Sequence, residues 1–121
     1  MIEVLAYAQC ATCKKALAWL KQAGIAHTVR PIVDQPPTPS ELKLWIPAAG
    51  VPVRRWLNTS GQSYRALGGR EHFDTLDDAS IAAALAADGK LVKRPVLVVK
   101  RGAKVVVRVG FDADAWQELL G

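Results

Sequence analysis

Cys10-Ala11-Thr12-Cys13, running straight into Lys14-Lys15-Ala16-Leu17-Ala18-Trp19-Leu20, decides how this chain is read. Ahead of it, Ile2-Glu3-Val4-Leu5-Ala6-Tyr7 has the apolar character of a short strand. Behind it, Cys13, Ala16, Leu17 and Leu20 recur at i, i+3, i+4 and i+7, which predicts one apolar helix face. Lys14, Lys15, Lys21 and Gln22 lie off that face. A pair of cysteines therefore sits where a strand hands over to a helix, with Cys10 at the mouth and Cys13 one turn inside.

That placement has chemical consequences. A helix N-terminus carries unpaired N–H groups and a partial positive charge, and both favour an anion such as a thiolate. Free cysteine titrates near ~8.5, and helix starts with cations nearby lower that value. Lys14 and Lys15 oppose the helix dipole but add positive potential at the sulfur. Cys10 is thus expected to attack as a thiolate, while Cys13, on the buried face, stays a thiol until needed. Residues three apart on a helix have Cβ atoms about 5–6 Å apart, so modest adjustment closes a disulfide.

The 121 residues suffice for one domain with a real core, and 50% apolar with 22% charged residues describes a globular chain. No run reaches the ~18–20 apolar residues of a membrane span. The first residues lack a basic segment and a long enough apolar stretch for a secretory signal, so a cytoplasmic location is expected. In that reducing setting two cysteines at this spacing point to catalysis or metal binding rather than to a structural staple. A zinc site needs four ligands, and only His27 and His72 could join the cysteines, at no usual spacing. No metal is expected.

The net charge of +5 is uneven, because Gly89 to Phe111 contains Lys90, Lys93, Arg94, Lys100, Arg101, Lys104 and Arg108 and no acid. These residues are either solvated strand flanks or a surface for an anionic substrate or acidic partner. Direct nucleic-acid binding is not expected, since no aromatic residues are interleaved with the basic ones.

Along the chain, Ile25 to Val33 reads as a second strand, and Pro31 places it at a sheet edge. Thr38-Pro39-Ser40-Glu41 spells a capped helix start, followed by inward Leu42, Trp45 and Ile46 and an end near Pro47 and Gly50. Short helical turns are expected from Pro52 to Leu57 and from Ser63 to Leu67, with a turn at Asn58-Thr59-Ser60-Gly61 between them. Asp77 or Asp78 caps a helix that ends at Gly89. Val96-Leu97-Val98-Val99 and Val105-Val106-Val107 form a hairpin about Arg101-Gly102, and Asp112-Ala113-Asp114 opens a last helix with Trp116, Leu119 and Leu120. The four tryptophans, Trp19, Trp45, Trp56 and Trp116, fall at helical positions and read as core. The order is βαβ, a helical middle, then ββα.

CxxC after a strand inside a βαβ unit suggests a thioredoxin-like redox motif. Together with Leu57-Asn58-Thr59-Ser60-Gly61, Tyr64, Leu67-Gly68 and Lys93-Arg94-Pro95-Val96, it resembles the arsenate reductase (ArsC)/Spx-like family over nearly the whole chain. The resemblance implies an α/β thioredoxin-like fold (βαβ–ββα, a four-stranded mixed sheet) spanning residues 1–121 as one domain. It places a helical insertion at about 38–89 between the two halves. It implies that Cys10 is the nucleophile, that Pro95 is cis and faces the cysteine loop, and that Arg94 points to the active site. The chain also departs from the family. Of the three arginines with which such reductases hold an oxyanion, only Arg94 lines up. Asn58 stands at the first position, and Val109 at the third unless a one-residue shift brings in Arg108. Cys13 occupies the loop serine and Lys14 the loop arginine.

As an enzyme, the chain is expected to be a thiol–disulfide oxidoreductase. Cys10 and Cys13 are catalytic, and Thr12, Lys14, Arg94, Pro95 and Asn58 stabilise the thiolate or bind substrate, which is a disulfide or a small anion. No cofactor is bound, and an external thiol donor (thioredoxin, glutaredoxin or glutathione) resets a monomer. The alternatives are an Spx-like redox-sensing regulator that binds RNA polymerase, and an arsenate reductase. Tyr64 and Arg65 either line the cleft or simply pack.

Overall fold

The computed structural model describes residues 1–121. Strand β1 (Ile2–Ala6) feeds helix α1 (Ala11–Gln22), and β2 (Thr28–Pro31) returns parallel to β1, pairing Val4 with Val29 and Ala6 with Pro31. Next come α2 (Pro39–Ala49), a 3-10 turn (Val53–Trp56), α3 (Gln62–Ala66), α4 (Gly69–Phe73), α5 (Asp78–Ala87) and a second 3-10 turn (Gly89–Leu91). The hairpin β3 (Val96–Arg101) and β4 (Lys104–Val109) precedes α6 (Ala113–Leu120). Sheet order is β2-β1-β3-β4, with β3 antiparallel to both of its neighbours. This is the thioredoxin-like α/β fold, a four-stranded mixed sheet, with β2 at an edge as Pro31 requires.

Alternation along the strands sends successive side chains to opposite faces. Leu5, Val96, Val98 and Val107 join Trp45, Trp56, Phe73 and Leu85 in the larger core, under the helices between β2 and β3. Val4, Ala6, Leu97 and Val99 join Cys13, Ala16, Leu20 and Trp116 in the smaller one, under α1 and α6. Trp45, Trp56 and Trp116 are fully buried, and Trp19 packs edge-on to Trp116. No helix is long and apolar enough to cross a membrane.

Local chemistry explains most boundaries. Thr38 Oγ1 accepts from the Glu41 amide at 3.1 Å, and Glu41 accepts from the Thr38 amide at 2.9 Å, a complete capping box. Pro47 does not stop α2. Its missing N–H removes a single bond, while the buried Leu42 and Trp45 keep the helix seated. Gly50, at φ +68°, ends it instead. Strand β2 is shorter than residues 25–33, because Ile25 still bonds back to Leu20 and Gln35 already bonds to Pro31. The hairpin turns at Gly102-Ala103, one residue later than expected, since Arg101 pairs with Lys104. The five-residue helix α4 was not foreseen. It starts where Gly68 and Gly69, both at positive φ, reverse the chain.

The edge strand is tied down by Arg30. Its two Nη atoms each reach a Glu41 carboxylate oxygen at 2.8 Å, its Nε and Nη2 donate to the Gln35 and Pro36 carbonyls, and its guanidinium lies 5.8 Å from the Trp45 ring centre. The hydrogen bond from Arg30 outweighs partial burial and holds the Glu41 carboxyl below its ordinary value. A carboxyl whose folded pKa is depressed stabilises the fold above its unfolded pKa, and this contribution is lost as pH falls through the folded one. Glu41→Gln is therefore expected to cost about 1–2 kcal/mol at neutral pH, allowing for solvent screening of a part-exposed pair. The cost should shrink towards zero in acid. Urea midpoints of both proteins at pH 7 and pH 3 check it.

Candidate functional site

Cys10 is the N-cap of α1, with extended backbone, and its sulfur accepts from the Cys13 amide at 3.4 Å. Sulfur thus takes the capping place usually held by a serine or aspartate oxygen. The preceding loop closes by a bond from the Cys10 amide to the Tyr7 carbonyl at 3.0 Å. The Tyr7 amide donates to Cys13 Sγ at 3.5 Å. Both cysteines are free, Cys10 half-buried and Cys13 buried.

Their acidities are pushed apart. Partial burial opposes ionisation of Cys10, but it is outweighed by the neighbouring Cys13 thiol and amide and then by the Arg94 guanidinium. The net shift is downward. Burial pushes the Cys13 thiol up to about 12, and the neighbouring Cys10 sulfur adds to this while the Tyr7 amide works against it. The arrangement can hold a thiolate at position 10 with a protonated partner beside it.

Cys10, Thr12, Asn58 and Arg94 line one cleft of about 650 Å³, with Lys93 and Asp112 among the other residues of its wall. Arg94 donates from Nη1 to the Lys90 carbonyl at 3.1 Å, its guanidinium lies 5.1 Å from the Tyr7 ring centre, and its Nε is buried without a partner. Asn58 reaches the same Lys90 carbonyl through Nδ2 at 3.4 Å and accepts from the Ser60 hydroxyl. The Arg94–Pro95 peptide is cis, and Pro95 is buried at the start of β3 with its carbonyl accepting from Gly110. Val109 lines the cleft and Arg108 does not, so no one-residue shift restores a further arginine there.

Lys14 lies elsewhere. It borders a separate apolar groove with Leu17, Val29 and Pro31, and it is not among the groups that shift Cys10. One residue beyond Cys13 on the helix, its side chain leaves on the β2 side, so nearness in sequence to the dithiol does not bring it into the cleft. Tyr64 packs, stacked on Phe73 with centroids 5.1 Å apart. No cluster of three or more His, Cys, Asp or Glu side chains is positioned to hold a metal ion.

Residue-type reasoning missed Tyr7, Gly110, Phe111 and Asp112. The last three had a signal, because pairing the end of β4 with the start of β3, Val109 opposite Val96, brings residues 110–112 beside Lys93 and Arg94. Tyr7 is reached only through the β1–β3 register, since Leu5 opposite Val96 carries the antiparallel pairing on to Tyr7 and Arg94.

A sequence profile of the ArsC family matches residues 5–119. The chain belongs to the ArsC family. Within it, YusI of Bacillus subtilis (strain 168) is 37% identical over 112 residues, covering 93% of this chain and 92% of YusI. An arsenate reductase of Rhizobium meliloti (strain 1021) is 30% identical over 96 residues, 79% of this chain and 67% of that protein. The crystal structure of an ArsC family related protein from Bacteroides fragilis superposes with a TM-score of 0.91 at 43% identity, over 98% of this chain and 96% of its own. ArsC membership relates the chain to arsenate reductases and to oxidoreductase chemistry.

Proposed function

We propose that this ArsC-family chain is a thiol–disulfide oxidoreductase of the cytoplasm. The Cys10 thiolate attacks one sulfur of a substrate disulfide, forming a mixed disulfide and expelling the other sulfur as a thiolate, which takes up a proton. Cys13 gives up its proton and attacks Cys10 Sγ, releasing the second substrate thiol. The substrate has gained two electrons and two protons, and Cys10–Cys13 is left as a disulfide. An external thiol donor (thioredoxin, glutaredoxin or glutathione) returns the pair to two thiols. Arg94, Thr12 and Asn58 form the polar wall against which the substrate is held, with the Arg94 charge facing the thiolate.

The observation that carries this reading is the seating of Cys10 as the N-cap of α1, its sulfur accepting from the Cys13 amide at 3.4 Å, with the buried Cys13 one turn inside. Attacking and resolving sulfurs are adjacent before any substrate arrives. Arsenate as substrate is less well supported. With Asn58 and Val109 in the wall, Arg94 is the cleft's one planar fork for an oxyanion, and Lys93 offers only a point charge.

Iodoacetamide labelling across pH, read by peptide mass, tests it. Cys10 is expected to label with a midpoint below that of a free thiol, and Cys13 to resist until strongly alkaline pH, in line with a thiol pushed up to about 12. Mild oxidant should then remove two hydrogens and block both sites. Equal, ordinary midpoints, or a pair that will not bridge, would overturn the assignment.

A further inference from the structure

Tyr7 touches both cysteines and the cation beside them. Its carbonyl accepts from the Cys10 amide at 3.0 Å, its amide donates to Cys13 Sγ at 3.5 Å, and its ring centre lies 5.1 Å from the Arg94 guanidinium carbon. The hydroxyl points away, donating to Gln9 at 3.1 Å. We propose that Tyr7 is a positioning residue for the dithiol, its ring face holding the Arg94 guanidinium against Cys10 while its backbone fixes the two sulfurs.

Arg94 needs such a holder. A single hydrogen bond, to the Lys90 carbonyl, anchors its guanidinium, and its buried Nε has no partner. No carboxylate forms an ion pair with it, for the salt bridges of the chain involve Arg30, Arg54 and Arg70. A carboxylate partner would anchor Arg94 more firmly but would cancel its charge at the sulfur. An aromatic face holds a guanidinium through its quadrupole and leaves the net charge intact. The ring is therefore suited to orienting a cation whose charge is needed elsewhere, and Arg94 is the one cation that lowers the Cys10 thiol.

The division of labour within Tyr7 makes the proposal testable. The backbone bonds survive any substitution except proline, and the hydroxyl plays no part. Tyr7→Phe should keep the wild-type midpoint of Cys10 alkylation, whereas Tyr7→Leu should move it upward and slow alkylation at pH 7 by roughly two- to fivefold. In an Arg94→Gln background, Tyr7→Leu should add no further shift, because its effect passes through Arg94. Should the leucine variant fold poorly, 4-fluoro, 3,5-difluoro and 3,4,5-trifluorophenylalanine at position 7 weaken the ring quadrupole stepwise at nearly constant shape. The midpoint should climb with each fluorine.

An unchanged midpoint across that series would overturn the proposal, and so would a Tyr7→Leu shift that persists without Arg94. The proposal rests on Cys10 acting as a thiolate, as in the oxidoreductase reading, yet the two fail separately. Disulfide turnover by the wild-type protein reports on the enzyme, whereas the fluorine series reports on Tyr7 even if no disulfide is turned over.

Discussion

Cys13→Ser is expected to stall the protein as a covalent adduct with its substrate and to cut steady-state disulfide reduction by on the order of 100-fold or more, because the effective concentration of a built-in second thiol is lost. The first chemical step should survive. Serine keeps the backbone amide that donates to Cys10 Sγ, and its hydroxyl is a donor as the thiol is, so the groups that favour a Cys10 thiolate remain. A rapid burst of one product thiol per protein should appear at near wild-type rate, followed by slow release set by the external thiol. Mass spectrometry without reductant should show Cys10 joined to half of the substrate. Cys10→Ser should give neither burst nor turnover, and as the chain has only two cysteines no other sulfur can substitute. Undiminished turnover by Cys13→Ser, with no adduct, would mean that the resolving thiol comes from outside.

The placement of the two cysteines was legible in the sequence because it is set locally. The apolar period placed Cys13 inside and left Cys10 at the helix start, and the structure has them so, with Cys10 as N-cap and Cys13 at 1% exposure. Arg94 and Asn58 were reached through family resemblance, not physics, because what brings them to the dithiol is the sheet order and a shared carbonyl at Lys90. Lys14 shows the opposite failure. Sequence adjacency suggested a charge at the sulfur, but 100° of helical rotation per residue turns it away from the cleft. Tyr7 reads only as the end of a strand, and its partner Arg94 lies across the β1–β3 pairing, a neighbour that only the sheet order supplies. Tertiary juxtapositions of this kind leave no periodic trace.

A second large effect lies at Gly89, where the helical segment rejoins the sheet. Its φ is unexceptional, yet a Cβ there would run into the carbonyl oxygen and carbon of Ile32 and come within 3.0 Å of Val33 Cα. Those are backbone atoms, held by the bond from Ile32 N–H to the Ala6 carbonyl at 3.0 Å, so they cannot swing aside as a side-chain end would. Gly89→Ala is thus expected to destabilise the protein by about 2–4 kcal/mol through overpacking. In a chain of 121 residues this is a fall in Tm of roughly 10–15 °C. The consequence reaches the site, because the displaced turn carries Lys90, whose carbonyl holds both Arg94 at 3.1 Å and Asn58 at 3.4 Å. Below its melting range the variant should therefore also alkylate more slowly at Cys10 near neutral pH, as the Arg94 charge loses its fixed position. Gly102→Ala is the control, since nothing lies within 4 Å of a Cβ there. At its φ of +63° it should cost only about 1 kcal/mol of backbone strain and leave Cys10 reactivity alone. Thermal melts and alkylation rates measured on both variants would separate close packing at the α5–β3 junction from glycine's backbone freedom, and equal effects at the two positions would show that Gly89 is not held against Ile32.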